Sequence, residues 1–275
     1  MPFRRAHTRT LMTVSTLALM LSVAGCADDG VVWDTPQNPV SGNWQVSATG
    51  GVPLPNISGS LTDGAVNLGT TPVNGIFHAD GTAGCTTASS LINVTGTTNS
   101  SGVTTLTGPV AGGTLTVTGT LSSDGRSLGN ATMNISGGQC AFAQAAQATV
   151  QNYSSVTGNY AGTFSDAHGP VMNVTATLSQ SVTGDTNGNF TLSGTGSFGT
   201  NPCFISPVPV VNSQVTGGTF VLTYTDNTKG NSVTATGTFS VDGTTLTVTN
   251  WSLTGPCGAD QGVGVLTKQS GSSGS

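Results

Sequence analysis

The residues best equipped for chemistry sit in two tripeptides, His78-Ala79-Asp80 and Asp166-Ala167-His168. Each sets an imidazole and a carboxylate two positions apart, hence on one face if the segment is a strand. An imidazole that gains and loses a proton near neutrality, steered by a carboxylate, is the raw material of acid–base catalysis or of metal ligation. A metal-dependent or hydrolytic enzyme would use His78 or His168 in that way. The plainer reading is loop polarity, because both tripeptides run into a glycine turn. The chain's internal repeat also fails to align them: the partner of His78 would fall near position 195, not 168. No nucleophile elbow, P-loop or zinc-protease helix motif is present. Asp185-Thr186-Asn187-Gly188-Asn189 has the look of a calcium loop, but EF-hand spacing needs a closing glutamate and the chain contains none, so a turn is the reading. Trp44, Tyr160 and Trp251 offer rings for stacking on sugars, although aromatic residues on strands more often fill a core.

Four cysteines, Cys85, Cys140, Cys203 and Cys257, are spaced by 55 and 54 residues in two pairs. Four thiols allow three pairings. The sequence chooses among them because it is duplicated: Gly42-Asn43-Trp44 returns as Gly158-Asn159-Tyr160, 116 positions on. Thr118-Gly119-Thr120-Leu121-Ser122-Ser123-Asp124-Gly125 returns as Thr236-Gly237-Thr238-Phe239-Ser240-Val241-Asp242-Gly243, 118 positions on, and Cys140 returns as Cys257 at 117. Independent folding of the two copies selects Cys85–Cys140 and Cys203–Cys257 as structural disulfides. Closing a loop of that size contributes about 4 kcal/mol in the chain-entropy model. No Cys-x-x-Cys and no histidine at ligand spacing supports a metal or redox pair, and no cofactor is expected.

The elements carrying these residues are strands. Met172, Val174, Ala176 and Leu178 alternate with Asn173, Thr175 and Thr177, and the same period of two returns at Phe220, Leu222, Tyr224 and at Val233, Ala235, Gly237, Phe239. Asn187-Gly188 and Asp242-Gly243 supply the positive φ angles of tight hairpins. About eight strands per copy predict an all-β chain of two tandem antiparallel meander domains, either small eight-stranded barrels or β-sandwiches. Glycines on the apolar face (Gly119, Gly194, Gly237) suit strongly bent strands. Only the alanine-rich Ala141 to Ala148 offers a helix.

The first 26 residues have the layout of a secretory signal: Arg4, Arg5 and Arg9, then an apolar stretch from Leu11 to Val23, then small residues. That stretch is shorter than the roughly 20 residues of a membrane-spanning helix. Its end, Val23-Ala24-Gly25-Cys26, resembles the lipobox of bacterial lipoproteins. The resemblance implies cleavage before Cys26, a diacylglycerol on its thiol and an acylated amino group, with Ala27 next to it favouring the outer membrane. A second resemblance is carried by Gly42-Asn43-Trp44 and Gly158-Asn159-Tyr160, each opening an eight-stranded meander, which is similar to the lipocalin and avidin barrels. It implies a barrel closed by the first-strand aromatic and a small apolar ligand inside.

The chain then divides into a signal peptide (1–25), a lipidated N-terminus and linker (26–40), a first β-domain (41–152), a second (153–268) and a disordered tail (269–275). After the signal, Arg126, Lys229 and Lys268 stand against eleven aspartates, a formal charge of −8. Such a chain offers no basic surface for phosphates, so nucleic acid is excluded as a partner. The function expected is a membrane-anchored cell-envelope lipoprotein acting as a non-enzymatic binding or structural module. Its partners would be the membrane through the anchor and a small apolar ligand, a glycan or another envelope protein. The rivals are the lipocalin-like carrier and the enzyme built on His78 or His168.

Overall fold

The computed structural model describes residues 39–79, 85 and 90–270. Among these residues sixteen strands form two closed eight-stranded antiparallel barrels in tandem. Barrel 1 contains β1 (Gly42–Ala48), β2 (Asn56–Asp63), β3 (Thr70–Ala79), β4 (Leu91–Asn99), β5 (Val103–Val110), β6 (Gly113–Leu121), β7 (Ser127–Ser136) and β8 (Ala146–Tyr153). Barrel 2 contains β9 (Gly158–Asp166), β10 (Gly169–Gln180), β11 (Phe190–Ser197), β12 (Val208–Thr216), β13 (Thr219–Asp226), β14 (Asn231–Phe239), β15 (Thr245–Thr254) and β16 (Asp260–Lys268). Each strand pairs with its successor, and β1–β8 and β9–β16 close the rings. Of the two expected architectures, the barrel is the one formed.

Closure of so small a ring demands sharp bends and close strand approach. Glycines meet that demand on the inward face: a Cβ on Gly194 would stand 1.9 Å from the Thr177 carbonyl oxygen, and one on Gly237 would stand 1.9 Å from that of Thr247. Most of the remaining inward positions are apolar and fill each ring, Phe164, Phe198, Tyr224 and Trp251 in barrel 2 and Trp44, Ile57, Phe77 and Met133 in barrel 1, with buried threonines at one end of barrel 1. Ala141–Ala148 forms no helix. Ala146–Ala148 opens β8, where Ala148 pairs with Ala48 to close the ring. Cross-strand pairing overrides alanine's helix propensity there, with Cys140 tethered just upstream.

The disulfides are Cys85–Cys140 and Cys203–Cys257, with Cα atoms 5.2 and 5.9 Å apart. Each ties the connection after the third strand of its barrel to the connection after the seventh, so both staple the same end of the ring. The hairpin at the opposite end is also repeated in detail. Ser122 Oγ donates to Asp124 Oδ1 (2.6 Å) and accepts from Arg126 N and Ser127 N, as Ser240 Oγ donates to Asp242 Oδ1 (2.5 Å) and accepts from Thr244 N and Thr245 N. Gly125 and Gly243 supply the left-handed residue, with φ of 70° and 69°.

The unstapled end of barrel 2 seats on the wall of barrel 1. Asn43 Nδ2 donates to Gly217 O (2.8 Å) while Gly217 N donates to Asn43 Oδ1 (2.6 Å), so one amide side chain holds both polar groups of that residue. Gln45 Oε1 accepts from Tyr153 OH and Gly218 N. Ser58 and Ser60 lie on the outer face of β2, yet both are buried. A Cβ on Gly217 would meet Ser58, and one on Gly184 would meet Ser60. The joint between barrels therefore uses small residues that let backbone and wall touch. Gln269, expected in the tail, still pairs through its N–H with Asn159 O.

Candidate functional site

His168 lies in the turn between β9 and β10, its side chain 92% exposed, with Nδ1 3.2 Å from Asp166 Oδ2. The backbone N–H of His168, and then its ring, hold the Asp166 carboxyl below the usual carboxylate range. His78 stands half-buried on β3, opposite Ser58 and Leu91, and its sequence partner Asp80 lies outside the described residues. No group of three or more metal-ligating side chains assembles among the described residues. The Asp185 carboxylate accepts Asn187 N (2.8 Å) and Asn189 N (2.9 Å), which makes the loop a self-satisfied turn.

The three candidate sugar-stacking aromatics all point into the barrels. Trp44 donates its indole N–H to Val40 O, Tyr160 its hydroxyl to Gly243 O, and Trp251 its indole N–H to Val263 O. Trp251 also stacks on Phe164 with ring centroids 5.7 Å apart. Burial, with Asp242 nearby, pushes the Tyr160 phenol up to about 12. None of the three offers a face to solvent. The first-strand aromatics Trp44 and Tyr160 do sit where the ring closes, on β1 and β9. Phe190, Leu222 and Phe239 are buried in the barrel 2 core, the place an enclosed apolar ligand would take.

A concavity opens instead where the barrels meet. A cleft of about 500 Å³ is lined from barrel 1 by Ser41, Asp124, Arg126 and Asn152, and from barrel 2 by Thr157, Gln180, Ser181 and Val182. Its volume falls within the range of small-ligand sites. One side chain of each sign faces it in a molecule where only 6% of residues are charged. Asp124 is fixed in place by the Ser122 hydroxyl and then by Arg126 N, which hold its carboxyl below the usual range. Asn152 Nδ2 donates to Gly125 O (3.3 Å), and Gln180 Oε1 accepts from Val156 N (3.0 Å), which fixes both amides at the cleft wall. The arrangement suits reciprocal hydrogen bonding to a polar guest.

Sequence reasoning named none of these lining residues as a site. Each belongs to a turn or a strand end, and only the docking of the two barrels brings them together. The comparison of the chain with protein-family models, curated proteins and solved structures finds no match in any of the three.

Proposed function

We propose that this chain is a cell-envelope lipoprotein, anchored through Cys26 to the outer membrane, whose two barrels act as a non-enzymatic binding module. The observation that carries the binding role is the contrast between filled barrel interiors and an open cleft of mixed polar and apolar lining built jointly by both barrels. The anchor rests on the lipobox-like Val23-Ala24-Gly25-Cys26, which lies outside the described residues. Two or more acyl chains hold a protein firmly, at about 0.8 kcal/mol per buried methylene. The amides and hydroxyls of the cleft fit a hydroxyl-rich ligand, and a glycan of the envelope is the class that such a set recognises. The carrier of an apolar molecule draws less support, since large side chains occupy the ring.

The test is fractionation of cells expressing wild type and Cys26→Ala. Wild type is expected with the membranes and labelled by palmitate, and the variant in the soluble envelope fraction without label. Membrane association unchanged by Cys26→Ala overturns the anchor. For the cleft, binding of the purified barrels to envelope glycans is expected to vanish in Ser181→Trp, which fills the cleft from an exposed position.

A further inference from the structure

The duplication supplies an internal control for each barrel position. In barrel 2, Phe190 pairs with Val215, Val215 with Phe220 and Phe220 with Gly237, an apolar layer across four strands. The same ladder in barrel 1 runs from Thr71 to Thr98, Thr98 to Thr104 and Thr104 to Gly119. The alignment is fixed by Gly119 and Gly237, which share one sequence repeat. Three threonines thus stand inside barrel 1 where barrel 2 has two phenyl rings and an isopropyl group.

All three threonines are buried, Thr71 to 5% exposure and the others to none. Thr98 and Thr104 satisfy one another, hydroxyl to hydroxyl at 2.9 Å. Thr71 Oγ1 has no hydrogen-bond partner among the described residues. Neither does Asp63 Oδ1, also buried, although Asp63 Oδ2 accepts Ser41 N (2.9 Å) and Ser41 Oγ (3.0 Å). Asp63 shares the inward phase of β2 with Ile57 and Leu61 and pairs with Val73. Thr71 is the next inward residue of β3 beyond Val73, so the two unpartnered oxygens sit on diagonal neighbours of one ladder. At the corresponding end of β10 barrel 2 has Gln180, whose Oε1 is bonded to Val156 N.

We propose that this end of barrel 1 is a built site for a water-sized hydrogen-bond donor, water or an ammonium ion, bridging Asp63 Oδ1 and Thr71 Oγ1. A buried carboxylate oxygen can only accept, so its partner must donate, and a neighbouring hydroxyl completes a two-point contact. Buried waters in proteins take about three such bonds to otherwise unsatisfied groups, and the Thr98–Thr104 pair beside the site supplies the third. Barrel 2 carries apolar side chains at the matching places, which offer such a donor no partner.

The isosteric substitution Thr71→Val tests the proposal by the sign of its effect. A hydroxyl bonded to a bound donor stabilises, so its removal lowers the melting temperature, by about 2–4 °C for a chain of this size. A hydroxyl with no partner destabilises, so an unchanged or raised melting temperature in Thr71→Val overturns the proposal. Magnetic resonance on wild type, where no variant is involved, is expected to show a long-lived water or ammonium cross-peak to the Thr71 methyl, and absence of any such peak overturns it too. Melting in ammonium chloride against sodium chloride at equal ionic strength separates the two donors. A rise seen in wild type and lost in Asp63→Asn assigns ammonium, and equal melting assigns water.

Discussion

Asn43 and Asn159 hold the same place in the repeated Gly-Asn-aromatic motif, and their side chains do different work. Asn43 is buried and grips Gly217 of the other barrel, whereas Asn159 is exposed and its side chain accepts from Thr177 Oγ1 within its own barrel. The flanking glycine and aromatic keep their roles: Gly42 and Gly158 share φ near 150°, and Trp44 and Tyr160 both close their rings. A duplicated barrel therefore keeps what closure requires and is free to change what its outer wall and unstapled end present. Barrel 1 changed its wall into a docking surface and its interior end into a polar layer. Barrel 2 changed its end into an apolar plug.

The largest effect that would break this contrast is at the plug. Phe220→Thr gives barrel 2 the residue that barrel 1 carries at Thr104, and by loss of a buried ring it is expected to destabilise by about 4 kcal/mol. Chemical denaturation measures it, and a change below about 1 kcal/mol would mean that the plug is not tightly packed. Next comes the pair of staples. Replacing both Cys203 and Cys257 with alanine is expected to cost about 3–4 kcal/mol, and the Cys85/Cys140 double variant a similar amount, because the loops they close are nearly equal. A large inequality between the two would show that the barrels lean on their disulfides differently.

Asn43→Ala strips both partners from the buried Gly217 peptide, and the unpaired groups cost about 2–3 kcal/mol. Calorimetry is expected to change from a single transition to two, one per barrel, while Asn159→Ala leaves the profile unchanged. The smallest effect is electrostatic. The Ser240 hydroxyl, then Thr244, lower the Asp242 carboxyl from 3.8 to about 2. A depressed folded pKa stabilises above the unfolded value and loses that contribution as pH falls through the folded one. Melting temperature should therefore drop between about pH 4 and pH 2, with a shallower slope in Asp242→Asn.

Much of the fold was legible because closure leaves regular marks. Alternation, turn glycines, the repeat offset and the cysteine spacing each follow from a local rule, and together they specify two stapled meanders. Ala141 to Ala148 misled, since the helix propensity of alanine is weak against the pairing of Ala148 with Ala48. The docking surface left no mark, because Ser58 and Ser60 read as an ordinary solvent face of β2 until another barrel covers them. The cleft was hidden for the same reason: Arg126 and Gln180 lie more than fifty residues apart, and nothing in either repeat points to the other. The polar layer was half visible. Aligning the copies sets Thr104 against Phe220, but Thr71 and Phe190 fall where the repeats have drifted and only the strand register connects them.

Ring closure also decides how this protein can meet other chains. An open sheet offers a row of unpaired N–H and C=O groups that a passing peptide extends, which is how many adaptor domains capture ligands and how fibrils grow. Here β1 pairs with β8 and β9 with β16, so both sheets end on themselves. Strand addition is closed as a mode of recognition, and so is edge-to-edge stacking. Any partner must be read by side chains, from a wall of threonine, serine and asparagine whose hydroxyls and amides stay wet until something displaces the water.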